Sequence, residues 1–361
     1  MLLSLIALAL GASSGVADSE FVVRPPIVYG NLAVFPVLTK TALFSRESRY
    51  ITLDEGIRNK WVVVKETGEP PIRPMVRPRD GNLSDSRQRQ SSDRPVQIDA
   101  PFNTGADVNK LKITNKSEKV LILLAGEMVV GGKQDRIVQK DCLVPPLTED
   151  AILDVFCVER GRWDTAAKEF DTRAGGFLGN VANPSVRGTA QDKADQSAVW
   201  SSVGGVHARL GTNSPTGTLR EAVANKKVQA DLSGYLKEIE SKMPADACGV
   251  VVAIDGNPVW ADVFPSAPGL FAKYWPKLLR SYALDAVGSA NPALAGPIKP
   301  VPVSEAVRFL SDRDGKSSFE GLEKVYKLRR TEGQSHVIFD LIDIGLDPER
   351  VLHTCKMLKK S

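Results

Sequence analysis

VNKLKITNKSEKVLILLAGEMVVGGKQDRIVQKDCLVPPLTEDAILDVFCVERGRW, residues 108–163, decides how the chain is read. Leu111 and Ile113 alternate with polar neighbours, and residues 120–124 and 128–130 form short apolar runs. Turn residues break these runs, which is the pattern of successive β-strands. Between the runs stand Gly126 and Glu127, then Gly131, Gly132, Lys133, Gln134, Asp135 and Arg136. The stretch closes on Cys157, Glu159, Arg160, Arg162 and Trp163. Charged side chains packed this tightly between apolar strands predict either a site or an ion-paired scaffold.

Gly126, Gly131 and Lys133 invite comparison with a phosphate-binding loop, but the spacing does not match. That motif needs Lys at 132 and Ser or Thr at 133, where this chain has Gly and Lys. A looser anion site remains. Gly131 and Gly132 let a backbone turn approach a ligand, with Lys133 and Arg136 on either side and Arg162 as a further phosphate contact. Gln134 would hydrogen-bond a base or sugar, and Trp163 would stack on a ring. Glu159 would act as base, with Asp135 as the second catalytic carboxylate and Glu127 nearby. The competing reading uses the same residues structurally. Gly131 and Gly132 make a turn, the carboxylates pair with Arg136, Arg160 and Arg162, and Trp163 is core. Both readings stand at this point.

Upstream, residues 28–38 read as a strand pair or bulged strand with Pro36 marking an edge. Thr52 and Glu55 have capping-box spacing for a short helix over 53–58, and residues 61–64 form a strand. The Pro- and Arg-rich residues 68–95 read as a solvated loop insertion. Downstream, residues 166–199 look loop-like, in the manner of a lid. Residues 218–243 predict one long helix, with Thr218 and Glu221 as capping box and Pro244 as terminator. A hairpin is expected over 249–264 around Asp255, Gly256 and Asn257, followed by a helical segment whose apolar face runs from Leu270 to Ala286 across Pro276. Residues 291–302 read as a linker. Beyond it, a helix over 304–310, a hairpin of 325–328 with 337–342, and a final helix over 348–359 predict a small α/β appendage spanning 303–361. The fold class is therefore α+β: a strand-rich first part with helices and a β-hairpin packed against it, then the appendage, with residues 18–290 as the main domain.

The 361 residues suffice for one large core or two modest ones, and a net charge of +4 is too mild to indicate nucleic acid as a partner. Residues 2–10 are apolar and small residues follow up to Ala17, so a signal peptide over 1–17 and an exported protein are expected, although no Lys or Arg precedes the run. No later stretch reaches the roughly 18 apolar residues of a spanning helix. Cys142, Cys157, Cys248 and Cys355 lack CxxC spacing, and His207, His336 and His353 form no ligand pair, so no structural zinc site is expected and no cofactor is indicated, while Glu127, Asp135 and Glu159 could serve to hold a divalent cation. In an exported chain Cys142 and Cys157 would pair if they lie on neighbouring strands; buried thiols are the plainer expectation. Ser201 and Ser202 with His207 lack a nucleophile elbow, so capping accounts for them. Asp262 and Asp285 are expected to make local hydrogen bonds.

Three segments, 124–136 (LAGEMVVGGKQDR), 155–163 (VFCVERGRW) and 249–286, resemble the ARG-and-rhodanese-phosphatase-superfamily-associated protein domain. The likeness covers most of residues 28–287 and leaves 68–95 and the tail after Asn291 as additions. The resemblance implies a role near ADP-ribose or nucleotide processing, because the family is named for association with ADP-ribosylglycohydrolase and rhodanese-phosphatase proteins. It supplies no catalytic residues to transfer. Two functions follow. One is binding or processing of an ADP-ribose-like or phosphorylated nucleotide derivative, a small nucleotide-like ligand. The other is an exported, non-catalytic scaffold or interaction protein of the cell envelope. Under the first, Gln134, Asp135, Arg136, Glu159 and Arg162 converge on an open cavity. Under the second they satisfy one another and are closed to solvent.

Overall fold

A computed structural model describes residues 21–40, 47–67, 109–162, 170, 180–290 and 300–359. The leader-like segment 1–17, the loop 68–95, Trp163 and most of the linker 291–302 lie outside the described residues. The fold is α+β, and the chain divides into two compact units. One unit takes both ends of the chain, Met1–Arg49 with Lys226–Ser361; the other is Tyr50–Asn225.

The first unit is built on a nine-stranded antiparallel sheet. Its order is Phe21–Val23, Leu32–Thr39, Gly249–Ile254, Asn257–Val263, Arg350–Leu358, His336–Asp343, Tyr326–Glu332 and Lys316–Leu322, with Ile27–Tyr29 also on Leu32–Thr39. The apolar run of Gly249–Ile254 is explained by its two covered faces. Val251 and Ala253 join Phe35, Val37, Ala306 and Leu310 in a core beneath the helix Val303–Ser311. On the opposite face, Asp262 meets Tyr282 of the helix Pro268–Ser289. Each valine buried this way stabilises by roughly 1.5–3 kcal/mol. Pro276 lies within that 22-residue helix, which continues through it.

Several expectations are corrected in this unit. Residues 348–359 form a strand, Arg350–Leu358, and not a helix. The strand pairs on both edges, and its successive residues from Leu352 to Met357 are buried, so both faces are covered and the sequence lacks a one-sided alternation. Residues 303–361 are no separate appendage, since their four strands extend the sheet begun by Leu32–Thr39. Pro36 is not on an edge either; it lies opposite Val250. Its carbonyl accepts the N–H of Arg24 at 2.8 Å, so its nitrogen faces the same side, where Pro25 and Pro26 interrupt the neighbouring chain. No ladder bond is missed there.

The second unit holds two smaller sheets, Cys142–Val144, Val120–Leu123 and Tyr50–Thr52 in one, and Val62–Glu66, Lys110–Asn115, Thr148–Cys157, Arg136–Val138 and Met128–Val129 in the other. Side chains from both share one core that includes Ile51, Leu121, Val64, Ile113 and Val155. Leu53–Arg58 is the expected helix, with the Thr52 and Glu55 capping box formed. Residues 184–199, expected as loop, are largely helical. Pro184–Gly188 runs into a π-helical turn, Thr189–Lys193, and Asp195 caps the helix Gln196–Leu210. The single helix expected over 218–243 is two, Leu219–Ala224 and Lys226–Ile239, broken at Asn225 where the units divide. All four cysteines are free, and Cys142 and Cys157 belong to different sheets.

Candidate functional site

The second unit brings Asp135, Glu159 and Arg162 together. Asp135 sits in the turn between Met128–Val129 and Arg136–Val138, and Glu159 and Arg162 follow the strand Thr148–Cys157. The N–H of Val158 donates to Asp135 O at 3.0 Å, the N–H of Gly161 to Thr216 O at 2.8 Å and the N–H of Leu219 to Val158 O at 3.1 Å. These bonds place the first turn of Leu219–Ala224 over the same spot. The two carboxylates therefore face side chains from three separate parts of the chain.

Each carboxylate oxygen has donors. Asp135 Oδ1 accepts the N–H of Gly131 at 3.0 Å and Arg162 Nη2 at 3.4 Å. Asp135 Oδ2 accepts the Thr218 hydroxyl at 2.9 Å and Arg220 Nε at 3.1 Å. Glu159 Oε2 takes the N–H of Asp135 at 3.0 Å and Arg162 Nη2 at 2.7 Å, while Oε1 takes the Thr216 hydroxyl at 3.0 Å. The Asp135 side chain is 0% exposed; those of Arg162 and Arg220 are 27% and 33% exposed. Burial alone would raise the Glu159 carboxyl, but Arg162, the Asp135 N–H and the Thr216 hydroxyl outweigh it and hold it below its ordinary value. A carboxylate held that low is a weak general base near neutral pH.

The glycine turn is occupied by the protein itself. Gly131 and Gly132 both have positive φ, at 103° and 54°. Arg162 donates to Gly132 O at 3.0 Å and Gly131 O at 3.4 Å. A Cβ on Gly132 would meet the Phe170 ring at 2.6 Å and the Glu66 carboxylate at 2.7 Å. The close approach expected of a ligand is made by these two side chains. Lys133 is buried, and its N–H donates to Glu66 Oε1 at 2.6 Å. Gln134 is buried and donates to Glu159 O at 2.9 Å. Arg136 is fully buried on its strand, opposite Val129 and Cys157.

A family model for the ARG and Rhodanese-Phosphatase-superfamily-associated Protein domain matches residues 20–355. The chain belongs to that family. No curated protein and no solved structure matches it. The family match takes in the tail after Asn291, in keeping with the four strands that residues 303–361 give to the large sheet.

Sequence alone did not point to Glu66, Thr216 or Arg220 as members of the family chain's ion network. Thr218 was legible only as a helix cap; its hydroxyl accepts the N–H of Arg220 at 3.2 Å and also donates to Asp135. The weaker sequence candidates have structural partners. Ser201 and Ser202 donate to the carbonyls of Ser197 and Ser185, and His207 bonds Thr212 Oγ1 and Thr218 O. Asp262 makes the expected local bond with Trp260, and also bonds Tyr282 and His353 in a buried cluster of the first unit. Among the described residues no group of His, Cys, Asp or Glu is arranged to hold a metal ion.

Proposed function

We propose that this protein is a non-catalytic scaffold or interaction protein, in which the Asp135–Glu159–Arg162 network braces the second unit. The observation that carries this reading is that all four oxygens of the two carboxylates are taken by donors of the chain itself. A working acid or base needs one position open to substrate. The family description speaks of association with ARG and rhodanese-phosphatase proteins, which supports a partner's role. The leader-like pattern ending at Ala17 supports an exported setting.

A second reading rests on Arg162 and Arg220. Their partly exposed guanidinium groups flank one carboxylate and would suit the phosphates of an ADP-ribose-like or nucleotide ligand. Thermal shift of the chain from Asp18 onward, against ADP-ribose, cyclic phosphates and nucleotides with and without divalent cation, separates the two. A flat response is expected. Stabilisation by several degrees, abolished by Arg220→Ala, would put ligand binding in place of the scaffold role.

A further inference from the structure

Among the described residues the large sheet ends on Lys316–Leu322, a seven-residue strand paired on one side only, with Tyr326–Glu332. All seven residues are exposed, and Phe319 and Leu322 are 62% and 49% exposed. Soluble proteins usually blunt such an edge with charged side chains, proline or a bulge, and here Lys316 and Glu320 are the only charges. KSSFEGL has no proline, and its pairing with Tyr326–Glu332 runs without a register shift. We propose that this edge pairs with the same strand of a second copy of the chain, antiparallel and centred on Phe319, so that one sheet runs through a two-fold dimer.

The backbone directions fit that register. The N–H of Val325 donates to Leu322 O at 3.0 Å, so the Leu322 carbonyl points into its own hairpin. Alternation along a strand turns Glu320, Ser318 and Lys316 the same way. The N–H and C=O groups of Ser317, Phe319 and Gly321 therefore point to the open edge. Two-fold pairing about Phe319 sets Phe319 against Phe319 and Ser317 against Gly321, each a hydrogen-bonded pair, giving about six intermolecular bonds. The two phenyl rings meet at the axis as a cross-strand aromatic pair. On the other face Lys316 lies diagonal to Glu320 of the second copy, and the symmetry repeats this opposite-charge contact. Gly321 opposes Ser317 beside the rings, where a small residue leaves them room. This pairing uses the first unit alone and is independent of the Asp135 network.

Sedimentation velocity of the full chain across a range of concentrations tests it. The wild type is expected to dimerise reversibly. Phe319→Pro should give monomer, with a melting temperature equal to that of the wild type at dilutions where the wild type is itself monomeric, because proline is tolerated on an edge strand where its missing N–H faces outward. Lys316→Glu should weaken dimerisation by about fivefold to tenfold through two like-charge contacts, and the double change Lys316→Glu with Glu320→Lys should restore it. Phe319→Lys, which opposes two ammonium groups at the axis, provides the same test if the proline variant does not fold. A wild type that stays monomeric throughout, or a dimer that survives Phe319→Pro and Phe319→Lys, overturns the proposal. A dimer that the charge swap fails to restore rejects this register.

Discussion

Glu159 Oε2 accepts the backbone N–H of Asp135 at 3.0 Å, and one nitrogen of Arg162 reaches both carboxylates, at 2.7 and 3.4 Å. This relationship ties the turn after Met128–Val129 to the end of Thr148–Cys157, and the hydroxyls of Thr216 and Thr218 extend it to the start of Leu219–Ala224. Buried carboxylates are costly unless charge and hydrogen bonds compensate them, and here both do. Asp135→Ala should therefore destabilise the second unit by about 2–3 kcal/mol. That lies below the full penalty for breaking a buried pair, because Arg162 and Arg220 retain contact with water. Urea unfolding would check it; a loss under about 0.5 kcal/mol, the range of an ordinary surface change, speaks against a bracing role.

Thr52 offers a local test of the fold. Its hydroxyl accepts the N–H of Glu55 at 3.4 Å, while the Glu55 carboxylate accepts the N–H of Thr52 at 3.0 Å. Thr52→Ala removes half of that exchange at the start of Leu53–Arg58. A loss of about 1 kcal/mol is expected, read as a lower urea midpoint at unchanged slope.

In the first unit, Asn31 closes the turn between Ile27–Tyr29 and Leu32–Thr39. Its amide donates to Asp255 Oδ1 at 2.9 Å, Ala286 O at 2.9 Å and Ser289 Oγ at 3.0 Å, and its oxygen accepts the Tyr235 hydroxyl at 2.7 Å. One small side chain thus links a hairpin turn to two helices and a second turn. Asn31→Ala takes the acceptor from the Tyr235 hydroxyl and removes the amide's contacts with Asp255 and the helix end, and should cost about 2–3 kcal/mol. Calorimetry would show it as a lowered melting temperature, and an unchanged one would count against the assignment.

Lys356 is buried over the Phe309 ring at 5.0 Å and donates to Asp312 O. Burial pulls its amine down from 10.5 to about 8. The folded value lies below the unfolded one, so between about pH 8 and 10.5 the unfolded chain binds more protons and this group's contribution to stability rises with pH. Lys356→Met removes that rise. Wild type should gain stability relative to the variant between about pH 8 and 10.5, measured as the difference in urea midpoints. Parallel pH profiles would contradict the shift.

Local signals in the sequence were reliable where a few neighbours decide the conformation. The Thr52 and Glu55 box, the hairpin of Gly249–Ile254 with Asn257–Val263 and the helix Val303–Ser311 all formed where their residues placed them. Long-range pairing was not legible. Leu32–Thr39 joins Gly249–Ile254 across more than half the chain, and no local pattern encodes that partnership. Arg350–Leu358 was misread for the same reason: a central strand buried on both faces loses the alternation that distinguishes strand from helix. At the site, the crowding of charge around Asp135, Glu159 and Arg162 was visible. Its closure was not, because Thr216, Thr218 and Arg220 arrive from a helix start some 60 residues beyond Glu159.

In the proposed scaffold role, Glu159 holds the second unit together through Arg162, Thr216 and the Asp135 N–H. The most direct test of that role is the melting of wild type and Glu159→Gln, with each protein also titrated with ADP-ribose. The predicted result is a melting temperature several degrees lower for Glu159→Gln, with no ADP-ribose binding or turnover by either protein. An unchanged melting temperature, together with wild-type binding or turnover of ADP-ribose that the variant lacks, would rule out the scaffold role and make Glu159 a working residue.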